Sequence, residues 1–399
     1  MLLRTFSLNR RPVKQFRNVY QTDTFMATKN PSKPDLGIQM SRKQGSNLPT
    51  LIDVAKLAQV STATASRVLG QYGSVSEKTR VRVQDAAEQL GYKPNTLARS
   101  LITGQTNTLG VIFPDIENSF FAHAFMGIQN VAHSSGFEVL LINTDEDAHT
   151  EHKALDTFAA KRVDGIIFVP AEQSIAAPLL NELVSAIPLV LLDRKIENLE
   201  LDSVVIDNFE AAKDATARLI DLGHRRIALL TGTSPAEVNL STSEVTNATP
   251  LNSYTTQLRT LGYQSALKVR GIALDPELIG AEGFHPSDAA NATRKLMELA
   301  DRPTAILALD SLLTLGVLKS LSEHGLKCPK DVSLISFDDA EWSAFVLPPI
   351  SVVAQPDFDL GAQACALLIS RIHGDSKPPV SITLPTQFIN RKSIAAVSI

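Results

Sequence analysis

From Thr50 onward the apolar residues fall first at helical and then at strand spacing, and this change of period divides the chain. Leu51, Val54, Ala55 and Ala58 recur on one helix face behind Thr50, whose hydroxyl suits an N-cap; Ala65, Val68 and Leu69 do the same behind Ser61. Only Gln59 and Val60 lie between the two segments. So tight a turn, with the small Ala55 where the helices cross, predicts a helix-turn-helix, although spacing alone equally allows an ordinary helical hairpin. The second helix carries Thr62, Ala63, Ser66 and Arg67 opposite its apolar face. In a helix-turn-helix that face enters the major groove, where Arg67 can donate two hydrogen bonds to a guanine edge. A third helix is predicted from Ser76, with Thr79 close behind, through Val83, Ala86, Ala87 and Leu90 to Gly91 at the C-cap.

After Gly104 the period changes. Apolar runs at Thr108 to Phe113, Phe137 to Ile142, Gly165 to Val169, Leu189 to Leu192, Ile227 to Leu230, Ala305 to Leu309 and Val332 to Phe337 predict buried parallel strands. Amphipathic stretches such as Phe121 to His133 and Ala211 to Leu222 predict the intervening helices. Such alternation specifies doubly wound α/β layers. No GxGxxG follows the first strand and no P-loop occurs, so nucleotide chemistry is not supported. No GxSxG elbow or paired catalytic carboxylates stand out, and the chain is expected not to be an enzyme.

Composition adds little until charge is divided along the sequence. The 399 residues carry 38 Lys and Arg against 42 Asp and Glu, a net charge of −4. Residues 1–48 hold 9 basic and 2 acidic groups, residues 49–103 hold 7 and 4, and residues 104–399 hold 22 and 36. A basic front therefore precedes an acidic body, the asymmetry of a chain that meets a polyanion at one end. Residues 1–48 lack periodicity and are interrupted by Pro31, Pro34, Gly37 and Gly45. They read as a disordered basic tail, and Met26 and Met40 leave open a start codon placed too early. Cys328 and Cys365 are the two cysteines, without CxxC spacing, so neither a disulfide framework nor a zinc site is indicated and a reducing cytoplasm fits. No membrane span or export signal is expected.

The residues themselves then become recognisable. Leu51-Ile-Asp-Val-Ala-Lys-Leu-Ala-Gln-Val-Ser-Thr-Ala-Thr-Ala-Ser-Arg-Val-Leu69, Val75-Ser-Glu-Lys-Thr-Arg80 and Leu90-Gly-Tyr-Lys-Pro-Asn-Thr-Leu-Ala-Arg-Ser-Leu101 closely resemble the head and hinge of LacI/GalR repressors. The resemblance continues through Gly127, Val163-Asp-Gly165, Leu192-Asp-Arg194, Gly223-His-Arg-Arg-Ile227, Gly262-Tyr263 and Ser336-Phe-Asp-Asp339. It implies a helix-turn-helix head at 49–94, a hinge helix at 95–104 and, at 105–399, a two-lobed periplasmic-binding-protein-like body joined by three crossings. It also implies a homodimer on double-stranded operator DNA, whose affinity is set by a small-molecule effector, expected to be a sugar or sugar derivative, with no cofactor. By the same resemblance Thr62, Ala63 and Arg67 match the positions that read bases, and Asn95, Ala98 and Leu101 belong to the hinge, with Leu101 wedged into the minor groove; Thr50, Ser61 and Ser66 are expected to contact DNA beside them. Gln59 stands where the family usually has a turn glycine, which costs some backbone strain if that position is left-handed.

Ligands of doubly wound sheets contact loops at the carboxyl ends of strands. The family's effector positions match Asn118, Phe120, Asp193, Arg259, Asp310 and Asp338, with Arg194 and Trp342 as neighbours. Carboxylates that accept from vicinal hydroxyls, with an aromatic face for the apolar side of a ring, suit a sugar. Asp115 and Asp339 also sit at strand ends, where capping a turn is the simpler role. Asp310 and Ser311 stand where the family usually has asparagine and aspartate, which tilts the site toward ligands that donate. His149 and His152 lack a third ligand at a usual spacing and read as a solvated helix start. The Ser-, Thr- and Asn-rich stretch from Thr233 to Ser253 is either a lid or an inert insertion. A sugar-binding protein of the periplasmic type, without a regulatory role, is the alternative reading; it explains the body but not the segment Val60 to Arg67.

Overall fold

The computed structural model describes residues 49–70, 72–92, 104–171, 180, 183–196, 199–232, 254–281, 283 and 285–397. The tail at 1–48, the hinge residues Asn95, Ala98 and Leu101 and the insertion from Thr233 to Ser253 lie outside the described residues. The chain divides into two compact units, one ending at Tyr92 and the other beginning at Lys93.

The first unit consists of helices α1 (Leu51–Leu57), α2 (Thr62–Leu69) and α3 (Glu77–Leu90). Thr50 and Asp53 cap α1 reciprocally: Asp53 N donates to Thr50 Oγ1 at 3.4 Å, and Thr50 N donates to Asp53 Oδ2 at 2.8 Å. Ser61 Oγ accepts from Thr64 N at 3.1 Å and starts α2. Gln59 has φ 52°, so the turn is left-handed at a residue with a Cβ. Val54, Ala55, Ala58, Ala65, Val68, Val83, Ala86 and Ala87 form the core. These side chains are small, so the three short helices approach closely enough to exclude water between them.

The second unit alternates strands and helices in the order β1 (Thr108–Phe113), α4 (Ser119–Ser134), β2 (Glu138–Asn143), α5 (Ala148–Lys161), β3 (Gly165–Phe168), β4 (Leu189–Leu192), β5 (Asp202–Ile206), α6 (Asn208–Asp221) and β6 (Ile227–Thr231). It continues through α7 (Tyr254–Val269), β7 (Ile279–Ala281), α8 (Pro286–Met297), β8 (Ala305–Ala308), α9 (Ser311–Glu323), β9 (Ser333–Phe337), β10 (Ser351–Ala354), α10 (Asp357–Ile372), β11 (Ser381–Leu384) and β12 (Gln387–Ile389). Two sheets result, ordered β11-β5-β4-β3-β1-β2 and β12-β10-β9-β8-β6-β7. Every pairing is parallel except β10 with β12. Strands such as β3 (Gly-Ile-Ile-Phe) and β4 (Leu-Val-Leu-Leu) are apolar throughout because both sheet faces are covered.

The chain passes between lobes three times, as the resemblance implied: between Ile206 and Asn208, between Ala354 and Asp357, and between Leu384 and Gln387. Helix α6 accordingly buries Ala212, Ala215 and Leu219 in the second lobe, whereas α10 buries Leu360, Ala364 and Leu368 in the first. Helix α10 is seated by glycine: a Cβ at Gly361 would collide with the Ala124 carbonyl oxygen of α4, and one at Gly127 with that of Phe358. The second crossing is therefore fixed by backbone-to-backbone contact in the first lobe.

Candidate functional site

In the helical unit, Thr62, Ala63 and Arg67 are exposed on one side of α2, while Ala65 and Val68 are buried on the other. Apolar spacing thus leaves the expected DNA-facing side free. Ser61 is exposed, with its hydroxyl oxygen engaged at the Thr64 amide. Thr50 is exposed too, and its hydroxyl donates to Asp53 Oδ2 at 2.7 Å. Ser66 is half-buried and its hydroxyl shares a 2.7 Å hydrogen bond with the Tyr72 phenol. Arg67 and the Thr62 hydroxyl remain the donors of this face not spent on caps.

The α/β unit has a cavity between its lobes, with about 640 Å³ of space when the open solvent at its mouth is included. It is lined from strand ends. Asn118 and Phe120 follow β1, Glu146 follows β2, and Asp193 and Arg194 follow β4. Asp310 follows β8, Asp338 follows β9, and Gln355 follows β10. Strands β4 and β9 hold the same place in their respective sheets. Each is followed at once by an aspartate in the left-handed region, Asp193 at φ 64° and Asp338 at φ 68°. Each aspartate donates its backbone N–H to the neighbouring strand, to Val204 O at 2.9 Å and Val353 O at 3.0 Å. The two lobes therefore present equivalent carboxylates to one cleft, in a backbone conformation that aspartate tolerates better than most side chains.

Two guanidinium groups accompany these acids. Arg259, on α7, donates from Nε to Asn208 Oδ1 at 2.7 Å and from Nη1 to Leu309 O at 2.6 Å, and it stacks on the Phe337 ring at 4.2 Å. Arg194 forms a bidentate pair with Glu146 at 3.0 and 2.9 Å and donates to Pro170 O at 2.9 Å. Burial pushes the carboxyls of Asp193 and Asp338 above the usual carboxylate range, against the opposing pull of Arg194 on the first and of Arg259 on both. Burial pushes Asp310 up to about 7, while the Leu313 amide, donating to its carboxylate at 2.7 Å, works in the opposite direction.

The structure brings together Asn118, Phe120, Asp193, Arg194, Arg259, Asp310 and Asp338. Trp342 is a correction. It lies on the 3₁₀ turn Glu341–Ala344, half-buried against the second lobe's core, and is not among the residues lining the cavity. The turn that follows Asp339 directs the indole toward apolar neighbours, where its area is covered. Asp339 is structural: it pairs with Arg391 at 2.7 Å and accepts from Ser343 Oγ at 2.8 Å. Asp115 both lines the cavity and accepts from Glu117 N at 2.9 Å. Asn118 N-caps α4 by accepting from Phe120 N at 3.0 Å, leaving its amide protons as donors. Glu146, Gln355, Thr255 and Thr256 also line the cavity and were missed. The strand-end rule applied to β2 finds Glu146. The two threonines lie one helical turn before Arg259 on the same face of α7.

Comparison with known proteins places this geometry. Residues 50–95 match the family of bacterial regulatory proteins, lacI family, and residues 216–394 match a periplasmic binding protein-like domain. Among solved structures, the lac repressor dimer bound to operator and the anti-inducer ONPF superposes with a TM-score of 0.75 at 26% identity, covering 87% of this chain and 99% of that one. The complex of the transcriptional regulator CelR with cellobiose gives 0.64 at 28% identity, covering 86% and 99%. The HTH-type transcriptional repressor CytR of Escherichia coli strain K12 is 33% identical across 90% of this chain and 100% of its own length. Catabolite control protein A of Priestia megaterium is 34% identical across 86% of this chain and 98% of its own length. On this extent of identity, spanning both units, the chain belongs to the lacI family of bacterial regulatory proteins.

Proposed function

We propose that this protein is a sequence-specific transcriptional repressor whose operator affinity is controlled by a small, hydroxyl-rich effector bound between the lobes of its body. The observation that carries the reading is the pairing, in one chain, of a capped helix-turn-helix presenting Thr62, Ala63 and Arg67 with a cleft lined by charged and polar side chains from strand ends. Neither half explains the other without regulation. The alternative of a sugar-binding protein with no regulatory role leaves the head without a purpose. Relatives with matching architecture include a repressor solved on operator DNA and a regulator solved with a disaccharide.

The organisation that serves this function is a head at 49–94, a hinge at 95–104 and an effector body at 105–399. The active species is a homodimer, because one head reads one half-site. Large apolar side chains left open on the second lobe, Phe345 at 84% and Leu347 at 93% exposure, favour such pairing. No helix of the described residues is long and apolar enough to cross a membrane, and operator binding requires the protein to share a compartment with DNA. The fold and the absence of catalytic motifs support binding rather than turnover.

Effector and operator act on one another by favouring different arrangements of the lobes, so the coupling is reciprocal, typically about 5- to 150-fold in affinity. The test is a titration of labelled operator with and without each member of a sugar and nucleoside panel. A shift of that size, lost in Arg259→Ala, supports the reading. Operator affinity indifferent to every ligand that binds the cleft refutes it.

A further inference from the structure

The cleft's acids and bases do not balance. Its lining holds Asp115, Glu146, Asp193, Asp310 and Asp338 against Arg194 and Arg259. Arg194 is taken up by Glu146, and Arg259 by Asn208, Leu309 and the Phe337 ring. Among the described residues neither Asp310 nor Asp338 has an ion-pair partner within 4.0 Å. Asp193 is the more telling group. It is 5% exposed and lines the cavity, yet its carboxylate accepts no hydrogen bond from any described residue, and its nearest cation is Arg194 Nε at 3.6 Å. A carboxylate so buried and so poorly solvated is costly unless something in the cavity donates to it.

The charge is also distributed across the cleft. Asp193 comes from the first lobe, Asp310 and Asp338 from the second, and Asp193 and Asp338 occupy equivalent places in the two sheets. Approach of the lobes without a ligand brings like charges together. A cation between them relieves the repulsion and supplies the missing donors, whereas a phosphate or carboxylate on the ligand adds to it.

From this arrangement we infer that the effector is an amine-bearing polyol, whose ammonium group is held between Asp193 of one lobe and the Asp310–Asp338 pair of the other. This rests on the reading of the cleft as the effector site and narrows it to a charge class. The hydroxyls of such a molecule donate to the remaining acceptors, and Phe120 offers an apolar face to its ring. The ammonium, with three donors and no acceptor, matches a site made of carboxylates.

The test is calorimetric titration of the full chain with the 2-amino-2-deoxy forms of glucose, galactose and mannose, each beside its N-acetyl form, its parent hexose and its amino-sugar 6-phosphate. At least one amino sugar is expected to bind about tenfold or more tightly than both its N-acetyl and parent forms, the scale of one lost charge-assisted hydrogen bond. Its 6-phosphate is expected not to bind. Asp310→Asn, which keeps the size and the oxygen that caps α9, is expected to erase the preference for the amine over the parent hexose; circular dichroism checks its fold. Binding of no amino sugar, equal binding of a parent hexose, or binding of a phosphate overturns the inference. The repressor reading is tested separately by operator binding without ligand. Loss of that binding removes the function and leaves the charge preference measurable.

Discussion

Asp310→Asn tests the electrostatics of the cleft without any knowledge of the ligand. Burial pushes this carboxyl up to about 7, from an ordinary 3.8 in the unfolded chain. Between those values the native protein holds a proton that the unfolded chain has released, so the stability linked to this proton falls as pH rises and is fully lost above the native value. From pH 5 to the native value is about two pH units, which at about 1.4 kcal/mol each sets a ceiling of about 3 kcal/mol. Asp310 is only half-buried and lines a cavity open at its mouth, so solvent screening reduces this to about 1–2 kcal/mol. Asparagine cannot ionise and its side-chain oxygen still accepts from Leu313 N. The variant's advantage over the wild type is therefore expected to be larger at pH 8 than at pH 5 by about that amount. For a body of this size the gain corresponds to roughly 2–6 °C in the calorimetric melting temperature. Equal displacement of the two melting temperatures at pH 5 and pH 8 would refute the argument, because it would show that Asp310 is charged at both.

Three further substitutions probe other parts of the account. Gln59→Gly relieves a φ of 52° in an exposed turn and is expected to stabilise the helical unit by about 1 kcal/mol, read as a higher urea midpoint of its helical signal; an unchanged or lower midpoint contradicts the strain argument. Arg67→Ala is expected to cost about 1–3 kcal/mol on operator DNA and to relax preference at a single base position, whereas equal weakening on operator and random DNA removes its base-reading role. Gly361→Ala drives a methyl group into the Ala124 carbonyl and is expected to lower the melting temperature of the body by at least the equivalent of about 1–3 kcal/mol, with no loss if α10 can slide freely on α4.

Much of the architecture was legible because apolar period and local chemistry agree. The caps at Thr50 and Ser61 are readable from residue type, whereas the left-handed turn at Gln59 is suggested only by the glycine usual at that place in the resembled family. The runs Thr108 to Phe113 and Leu189 to Leu192 coincide with β1 and β4, since strands buried on both faces leave no polar break. Strands β5 and β10 escaped notice for the opposite reason. Asp202 and Ser203 open β5, and Asp202 is buried there only because Arg371 holds it at 2.7 Å across 169 residues. With β10 unrecognised, Gln355 at its end was invisible as a site residue, although its amide donates to Asp338 Oδ1 at 2.6 Å. Edge strand β11, whose residues alternate exposed and half-buried, has no continuous apolar signal either. Trp342 entered as a neighbour of the effector positions that the resemblance implied; it lies on the 3₁₀ turn Glu341–Ala344, where its ring packs against the second lobe's core outside the cavity lining.

The central claim is that the head reads DNA sequence, and selection of bound sites from a random duplex library, followed by titration of the selected site over a salt series, tests it most directly. The account predicts enrichment of a near-palindromic site, and affinity for it that falls steeply and linearly in log–log form with salt while remaining well above that for random DNA. Enrichment of no sequence, or of one asymmetric half-site bound by a monomer, would contradict it.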